Sequence, residues 1–115
     1  MPMIARIMTL SAVLSATVAI AAQATPAPGA ETSVPRMSRF LEWRPDGNQA
    51  LFIRADTGQW YHATLRAPCR RMADRAAIRF VSSPGDRFNR DSALSAAGWR
   101  CLVDSVTESE GPAGR

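Results

Sequence analysis

This 115-residue sequence contains few of the histidine and cysteine side chains that most often act in catalysis and metal binding. His62 is the single histidine, and Cys69 and Cys101 are the only cysteines. One histidine does not make a multi-histidine metal site, and two thiols do not make a four-thiolate zinc site. No nucleophile and base at a telling spacing surround His62, so we interpret it as a half-buried strand residue. The sequence therefore predicts no catalytic residue, no metal and no cofactor, and we expect a protein that is not an enzyme.

The strongest charged feature is a run of arginines in the second half of the chain. All 14 basic residues of the sequence are arginines. Five of them lie between positions 66 and 79, and they are Arg66, Arg70, Arg71, Arg75 and Arg79. Only one carboxylate, that of Asp74, lies among them. Guanidinium groups bind phosphates and carboxylates bidentately, so residues 66–79, the arginine segment, are predicted to bind anions. The alternative is a solvated loop whose charge only keeps the protein soluble.

The first 24 residues have the order of a secretory signal peptide. A short start containing Arg6 precedes a charge-free apolar run, and Ala22-Gln23-Ala24 places small residues where signal peptidase cleaves. We therefore predict a signal peptide over residues 1–24, cleavage after Ala24, and a periplasmic or secreted protein without a stable membrane anchor. An uncleaved anchor is the alternative, which the alanine-rich, weakly hydrophobic run disfavours.

Export decides how the two cysteines are interpreted. A single pair of cysteines in an oxidising compartment normally forms a disulfide, so we predict a Cys69–Cys101 bond. Closing that loop contributes roughly 3.7 kcal/mol in the chain-entropy estimate, which is comparable to the whole stability of a small core. A redox-active or metal-binding pair is the alternative, but these cysteines do not form a Cys-x-x-Cys motif.

The part after the leader divides by composition into three stretches. Residues 25–35 hold three prolines and one glycine, which predicts a flexible linker. Residues 36–107 carry nearly all the aromatic and branched side chains, which predicts one small domain. Residues 108–115 are polar and contain two glycines and a proline, so we expect a disordered tail.

Within residues 36–107, short apolar runs alternate with turn sequences. The runs at 50–55 and 59–65 are joined by Asp56-Thr57-Gly58 and predict a β-hairpin with Leu51 and Ile53 on one face. Residues 76–82 and 99–106 predict further strands, whereas residues 88–97 fit either a short strand or a helical turn. Five to six short strands without a long amphipathic segment predict an all-β fold. We expect a small antiparallel sheet or barrel with one disulfide.

Six aromatic side chains either form a stacking surface or fill the core of this domain. They are Trp43, Phe52, Trp60, Tyr61, Phe80 and Trp99. Because a domain of this size has few other large side chains, we predict that these six form its core.

Short motifs are spread over residues 40–106. They are Trp43, Asp46-Gly47-Asn48-Gln49-Ala50-Leu51-Phe52-Ile53, Trp60-Tyr61, Ala67-Pro68-Cys69, Arg90-Asp91 and Arg100-Cys101-Leu102-Val103. In this order they resemble an uncharacterised family of small exported proteobacterial proteins, a domain of unknown function with two paired cysteines. The resemblance implies a periplasmic, disulfide-bonded protein and carries over no catalytic residue. Asn89-Arg90-Asp91 departs from the family pattern, which usually has a glycine before that aspartate.

Together these features predict a non-catalytic periplasmic protein that binds a ligand or maintains the envelope. We expect an anionic envelope component or a protein partner to bind at the arginine segment. Nucleic acid is not expected, because an exported protein rarely meets it and the sequence has no recognition helix or stacking motif. The alternative is a small secreted inhibitor of a periplasmic or host hydrolase.

Overall fold

A six-stranded antiparallel sheet, curled into a half-barrel, makes up the fold of the computed structural model, which describes residues 29–113. The strands are β1 (Glu42–Pro45), β2 (Ala50–Arg54), β3 (Trp60–Leu65), β4 (Ile78–Val81), β5 (Ala93–Ala96) and β6 (Trp99–Ser109). Their order across the sheet is β1-β2-β3-β6-β5-β4. Two 3-10 turns, Met37–Arg39 and Arg75–Ala77, precede β1 and β4. The predicted all-β fold with one disulfide is confirmed.

The predicted hairpin is formed by β2 and β3. Ile53 pairs with Tyr61, and the Gly58 N–H donates to the Ala55 carbonyl at 2.9 Å to close the turn. Gly58 has a φ of 91°, a left-handed conformation that side chains disfavour, which explains a glycine at this position. Leu51 and Ile53 are fully buried on one face, as the alternation predicts.

The core lies on the concave side of the sheet, and aromatic rings bridge its two edge strands. The ring centroids of Trp43 on β1 and Phe80 on β4 are 5.6 Å apart and meet edge to face. Phe40 and Phe88 contact Phe80 at 5.2 and 5.4 Å. Edge-to-face pairs add to the free energy gained by burial, so these rings hold the half-barrel closed where no strand pairing does.

Residues 31–34, which the sequence assigns to the flexible linker of residues 25–35, lie against the sheet instead. The Thr32 N–H donates to the Val106 carbonyl at 2.8 Å, and Val34 is fully buried in a bridge to Phe88. Strand β5 pairs only with the first part of β6, so the edge of the second part is free to take this segment. The predicted signal peptide, residues 1–24, lies outside the described residues.

The predicted tail of residues 108–115 begins inside β6. Glu108 pairs with Tyr61 and Ser109 with Trp60, so the last strand is longer than its apolar pattern predicts. The segment at 88–97, for which a strand and a helical turn remained open, contains β5. Leu94 and Ala96 are fully buried there between β4 and β6. No helix among the described residues is long and apolar enough to cross a membrane.

Candidate functional site

The arginine segment connects β3 to β4, and the fold divides its arginines between two surfaces. Arg66 directly follows β3, and Arg79 lies within β4 on the face opposite the buried Ile78. Arg79 therefore belongs to the outer face of the sheet, the face whose side chains point away from the core, and Arg66 lies beside the same face because its N–H donates to the carbonyl of the exposed Leu102. Arg70, Arg71 and Arg75 lie on the connection itself, and all five arginines are exposed. The five arginines are close in sequence, but in the structure they form two separate groups, one on the outer face and one on the connection.

The disulfide joins this connection to β6. Cys69 and Cys101 are bonded with their Cα atoms 5.7 Å apart, and no free cysteine remains among the described residues. Cys69 is buried, and its N–H donates to the Asn48 carbonyl at 2.6 Å. This hydrogen bond fixes the connection against the β1–β2 turn. The predicted Cys69–Cys101 pairing is present, and it places Arg70 next to the start of β6.

Arg70 stacks on the ring of Trp99. The guanidinium carbon lies 4.9 Å from the ring centroid, and the Trp99 side chain is 59% exposed. A guanidinium over an aromatic face is held by attraction to the ring, and its N–H groups remain free to bind an anion in the plane of the guanidinium. Trp99 is therefore not a core residue, which corrects the prediction that all six aromatic side chains form the core.

The other aromatic residues of that set lie on both faces of the sheet. Trp43 and Tyr61 are in the core, and Phe80 packs against it. Phe52 and Trp60 pair on the outer face, with ring centroids 6.5 Å apart and outside the core cluster, where Trp60 is buried and Phe52 half-buried. They face outward because neighbouring strand residues alternate between the two faces of a sheet.

Arg75 and Arg71 are held by different contacts. The guanidinium carbon of Arg75 lies 5.7 Å from the centroid of the Trp43 ring, at the edge of the core. Arg71 donates from Nη2 to the Asp74 carboxylate at 2.8 Å. Next to Arg70 and Arg71 a shallow hollow of about 510 Å³ opens against the β1–β2 turn, with Met72 and Asn48 on its wall. The connection thus carries two guanidinium groups held over aromatic rings, and the one on Trp99 adjoins a surface depression.

Positive charge is poorly compensated across both surfaces. Among the described residues, the only arginine of the segment with a carboxylate within 4.0 Å is Arg71. The others are Arg66, Arg70, Arg75 and Arg79. Arg100, which precedes the second cysteine of the disulfide, is likewise exposed and without such a partner in this part of the chain. An anionic ligand therefore would not have to displace a carboxylate to reach these groups.

His62 has two neighbours on the outer face. Its Nε2 lies 2.9 Å from the Asp46 carboxylate, and its ring centroid is 4.8 Å from that of Phe52. Over residues 29–113 its only hydrogen-bond partner is Asp46, and no hydroxyl group bonds to the ring. The same part of the chain holds no group of three or more His, Cys, Asp or Glu side chains placed to bind a metal. The His62–Asp46 pair fixes the β1–β2 turn to β3.

Sequence reasoning missed two residues that the fold adds to the site, Trp99 and Arg100. Both lie at the start of β6, next to the β5–β6 turn. The strand alternation could have revealed Arg100, because Arg100 and Leu102 must lie on the face opposite Cys101. For Trp99 the sequence has no such signal, because its exposure depends on where β6 begins relative to the core.

Of the comparisons with known proteins, only the one with sequence-family models gives a match. A family model described as a family of unknown function (DUF6491) matches residues 2–113. The search of curated proteins and the search of solved structures both return no match. The family match spans the strands, the disulfide and the arginine segment together.

Proposed function

The chain belongs to the family of unknown function DUF6491, and for it we propose a non-catalytic role in binding anionic components of the cell envelope. The binding surface is the part of the arginine segment that carries Arg70, Arg71 and Arg75, together with Trp99. The ligand is a group that carries phosphate or carboxylate, since these anions match the planar fork of a guanidinium.

The observation that carries this proposal is the stacking of Arg70 on Trp99 beside the disulfide. Both side chains are exposed, yet the ring and the covalent link restrict where the guanidinium lies. A charged group that is held in place before binding loses less side-chain entropy when it binds. Solvated arginines of a loop that only aids solubility need neither the ring nor the link.

The charge balance supports the same role. Five exposed arginines of this region have no carboxylate within 4.0 Å among the described residues, namely Arg66, Arg70, Arg75, Arg79 and Arg100. Mutual repulsion between such groups opposes folding, and a bound anion relieves it. The disulfide is compatible with an exported protein, because such bonds persist in oxidising compartments.

The test is retention of the protein on immobilised lipopolysaccharide, whose lipid anchor carries phosphates. We expect salt-sensitive retention of the wild type and at least about tenfold weaker retention of the triple variant Arg70→Gln, Arg71→Gln, Arg75→Gln, because each lost charge-assisted hydrogen bond is worth about 1.5–3 kcal/mol. The matched control is Arg39→Gln, Arg87→Gln, Arg90→Gln, three exposed arginines outside the arginine segment.

The control variant has the same net charge as the test variant, so it separates a defined site from general attraction. We expect the control to be retained nearly as well as the wild type. Dephosphorylated lipopolysaccharide should retain neither the wild type nor the control variant. Equal loss in the two triple variants, or no loss in either, would contradict the proposed site.

A further inference from the structure

The outer face of β4, β5 and β6 carries two neighbouring rows of side chains. Strand pairing aligns Arg79 with Ser95 and Ser95 with Arg100, which makes one row across three strands. The next row aligns Val81 with Ala93 and Ala93 with Leu102. Residues directly opposite each other in a sheet project from the same face, so each row is a continuous stripe.

The first row is basic. Strands lie about 4.8 Å apart, so the Cα atoms of Arg79 and Arg100 are about 10 Å apart across Ser95, within reach of two long side chains that converge on one group. Arg66 adds a third guanidinium beside the second row, since its backbone N–H donates to the Leu102 carbonyl at 3.0 Å. None of these three arginines has a carboxylate within 4.0 Å in the part of the chain that the structure describes.

The second row is apolar, and its two outer residues are exposed, whereas Ala93 between them is fully buried. Val81 is 38% and Leu102 43% exposed, and both are among the few large hydrophobic side chains at the surface of the described residues. They lie next to the arginines rather than apart from them. A stripe of apolar side chains beside a basic stripe matches the layering of an anionic bilayer surface, where phosphates lie above hydrocarbon.

We propose that this outer face binds the surface of an anionic phospholipid bilayer. Arg79 and Arg100 donate hydrogen bonds to a lipid phosphate above Ser95, and Val81 and Leu102 enter the boundary between headgroups and acyl chains. Arg66 binds a neighbouring phosphate. This inference rests on the proposed function for the anionic class of the ligand, and it adds that the ligand is a lipid and that its site differs from the Arg70–Trp99 site.

The two apolar residues favour a lipid over a soluble anion. A soluble phosphate satisfies the arginines but leaves Val81 and Leu102 in water. A bilayer satisfies both rows at once, since burial of exposed apolar area adds to the attraction between arginine and phosphate.

The test is sedimentation of the protein with vesicles of phosphatidylglycerol, with phosphatidylcholine vesicles as the uncharged comparison. We expect the variant Arg79→Gln, Arg100→Gln to bind phosphatidylglycerol vesicles about 25-fold more weakly, about fivefold for each basic residue near the surface. We expect Val81→Ser, Leu102→Ser to bind about tenfold more weakly at unchanged net charge. Phosphatidylcholine vesicles should bind little of any variant.

Matched controls lie elsewhere on the surface. Arg87→Gln, Arg90→Gln removes two exposed arginines outside both rows, and Leu41→Ser replaces a leucine that is 56% exposed. Both should bind like the wild type. Urea midpoints of all variants show whether each one folds, and because every replaced side chain is exposed we expect them to agree closely.

The outcomes separate this inference from the proposed function. If Val81→Ser, Leu102→Ser binds vesicles like the wild type while the arginine variant does not, the protein binds the headgroup phosphates alone, Val81 and Leu102 do not enter the bilayer, and the inference of a bilayer-binding face is wrong. If both variants of this face bind vesicles normally, while the triple variant at residues 70, 71 and 75 loses lipopolysaccharide, only the proposed function stands. If that triple variant is retained normally and the vesicle results are as expected, only the lipid-binding face stands.

Discussion

The guanidinium carbon of Arg70 lies 4.9 Å from the centroid of the Trp99 ring. The two residues are distant in the chain, and they meet because Arg70 follows Cys69 and Trp99 lies two positions before Cys101. The disulfide between these cysteines holds their Cα atoms 5.7 Å apart. One covalent bond therefore both closes the domain and assembles the stacked pair that the proposed function uses.

Replacing the ring tests whether stacking matters for binding. We expect Trp99→Ala to weaken retention on lipopolysaccharide about two- to fivefold, because a cation–π contact at an exposed site is worth about 0.5–1 kcal/mol. Trp99→Phe keeps an aromatic face and should lose less. The free energy of unfolding should change little in both, since Trp99 is 59% exposed. Equal retention of Trp99→Ala and the wild type would show that Arg70 binds without its ring.

The disulfide is expected to contribute a large share of the stability. It closes a loop with a sequence separation of 32, for which chain entropy gives roughly 3.7 kcal/mol. We expect the double variant Cys69→Ala, Cys101→Ala to lose about this much in urea unfolding. Reduced wild-type protein provides the comparison, since it lacks the bond but keeps both side chains. A wild-type midpoint that does not change on reduction would contradict this prediction.

The ion pair between Arg36 and Asp56 should make stability depend on acid pH. Arg36 donates from Nε to Oδ2 at 2.6 Å and from Nη2 to Oδ1 at 2.9 Å, and these hydrogen bonds hold the pKa of Asp56 below its ordinary value of 3.8. A carboxyl whose pKa is lowered by folding adds stability above its unfolded pKa and loses it as pH falls through the folded pKa.

Below about pH 4 the urea midpoint of the wild type should therefore fall more steeply than that of Asp56→Asn. At neutral pH, Asp56→Asn should be the less stable of the two. Asp91→Asn serves as the control, because Asp91 is exposed and has no ion pair among residues 29–113. Parallel pH profiles for the wild type and Asp56→Asn would mean that the pair adds nothing to stability.

The segment before the first strand should behave as part of the core. Val34 is fully buried and exchanges backbone hydrogen bonds with Phe88 at 2.8 and 3.1 Å. We expect Val34→Ala to lower the free energy of unfolding by about 2 kcal/mol, from lost apolar contact and the cavity left behind. Leu41→Ala, at a residue 56% exposed, should change it by less than about 0.5 kcal/mol. If both variants changed the free energy of unfolding by equal, small amounts, residues 25–35 would be a flexible linker, as the sequence predicts.

Local patterns were enough to predict most of the strands. The hairpin of β2 and β3 follows from alternation and from Asp56-Thr57-Gly58, since a strand's two faces and a tight turn depend on neighbours in the chain. The sequence did not decide between a strand and a helical turn around β5, because Asp91-Ser92-Ala93-Leu94 is too short to show the periodicity of either structure. Its burial between β4 and β6 decides the matter.

The candidate site shows a different division. The arginine segment and the two cysteines are visible in the sequence, and the pairing of the cysteines follows once export is assumed. Neither the exposure of Trp99 nor the contribution of Arg100 is visible, because each depends on residues that approach from a distant strand.

The sequence by itself thus determined the all-β class, the central hairpin and the only two residues able to form a disulfide, because these depend on composition and local period. Tertiary structure alone decided that Arg66 and Arg79 leave the other arginines of their segment and that Arg79 joins Ser95 and Arg100 in one row. It also placed residues 31–34 on the sheet. The physical reason is that strand register and sheet order are set by contacts between distant parts of the chain, which no local pattern encodes.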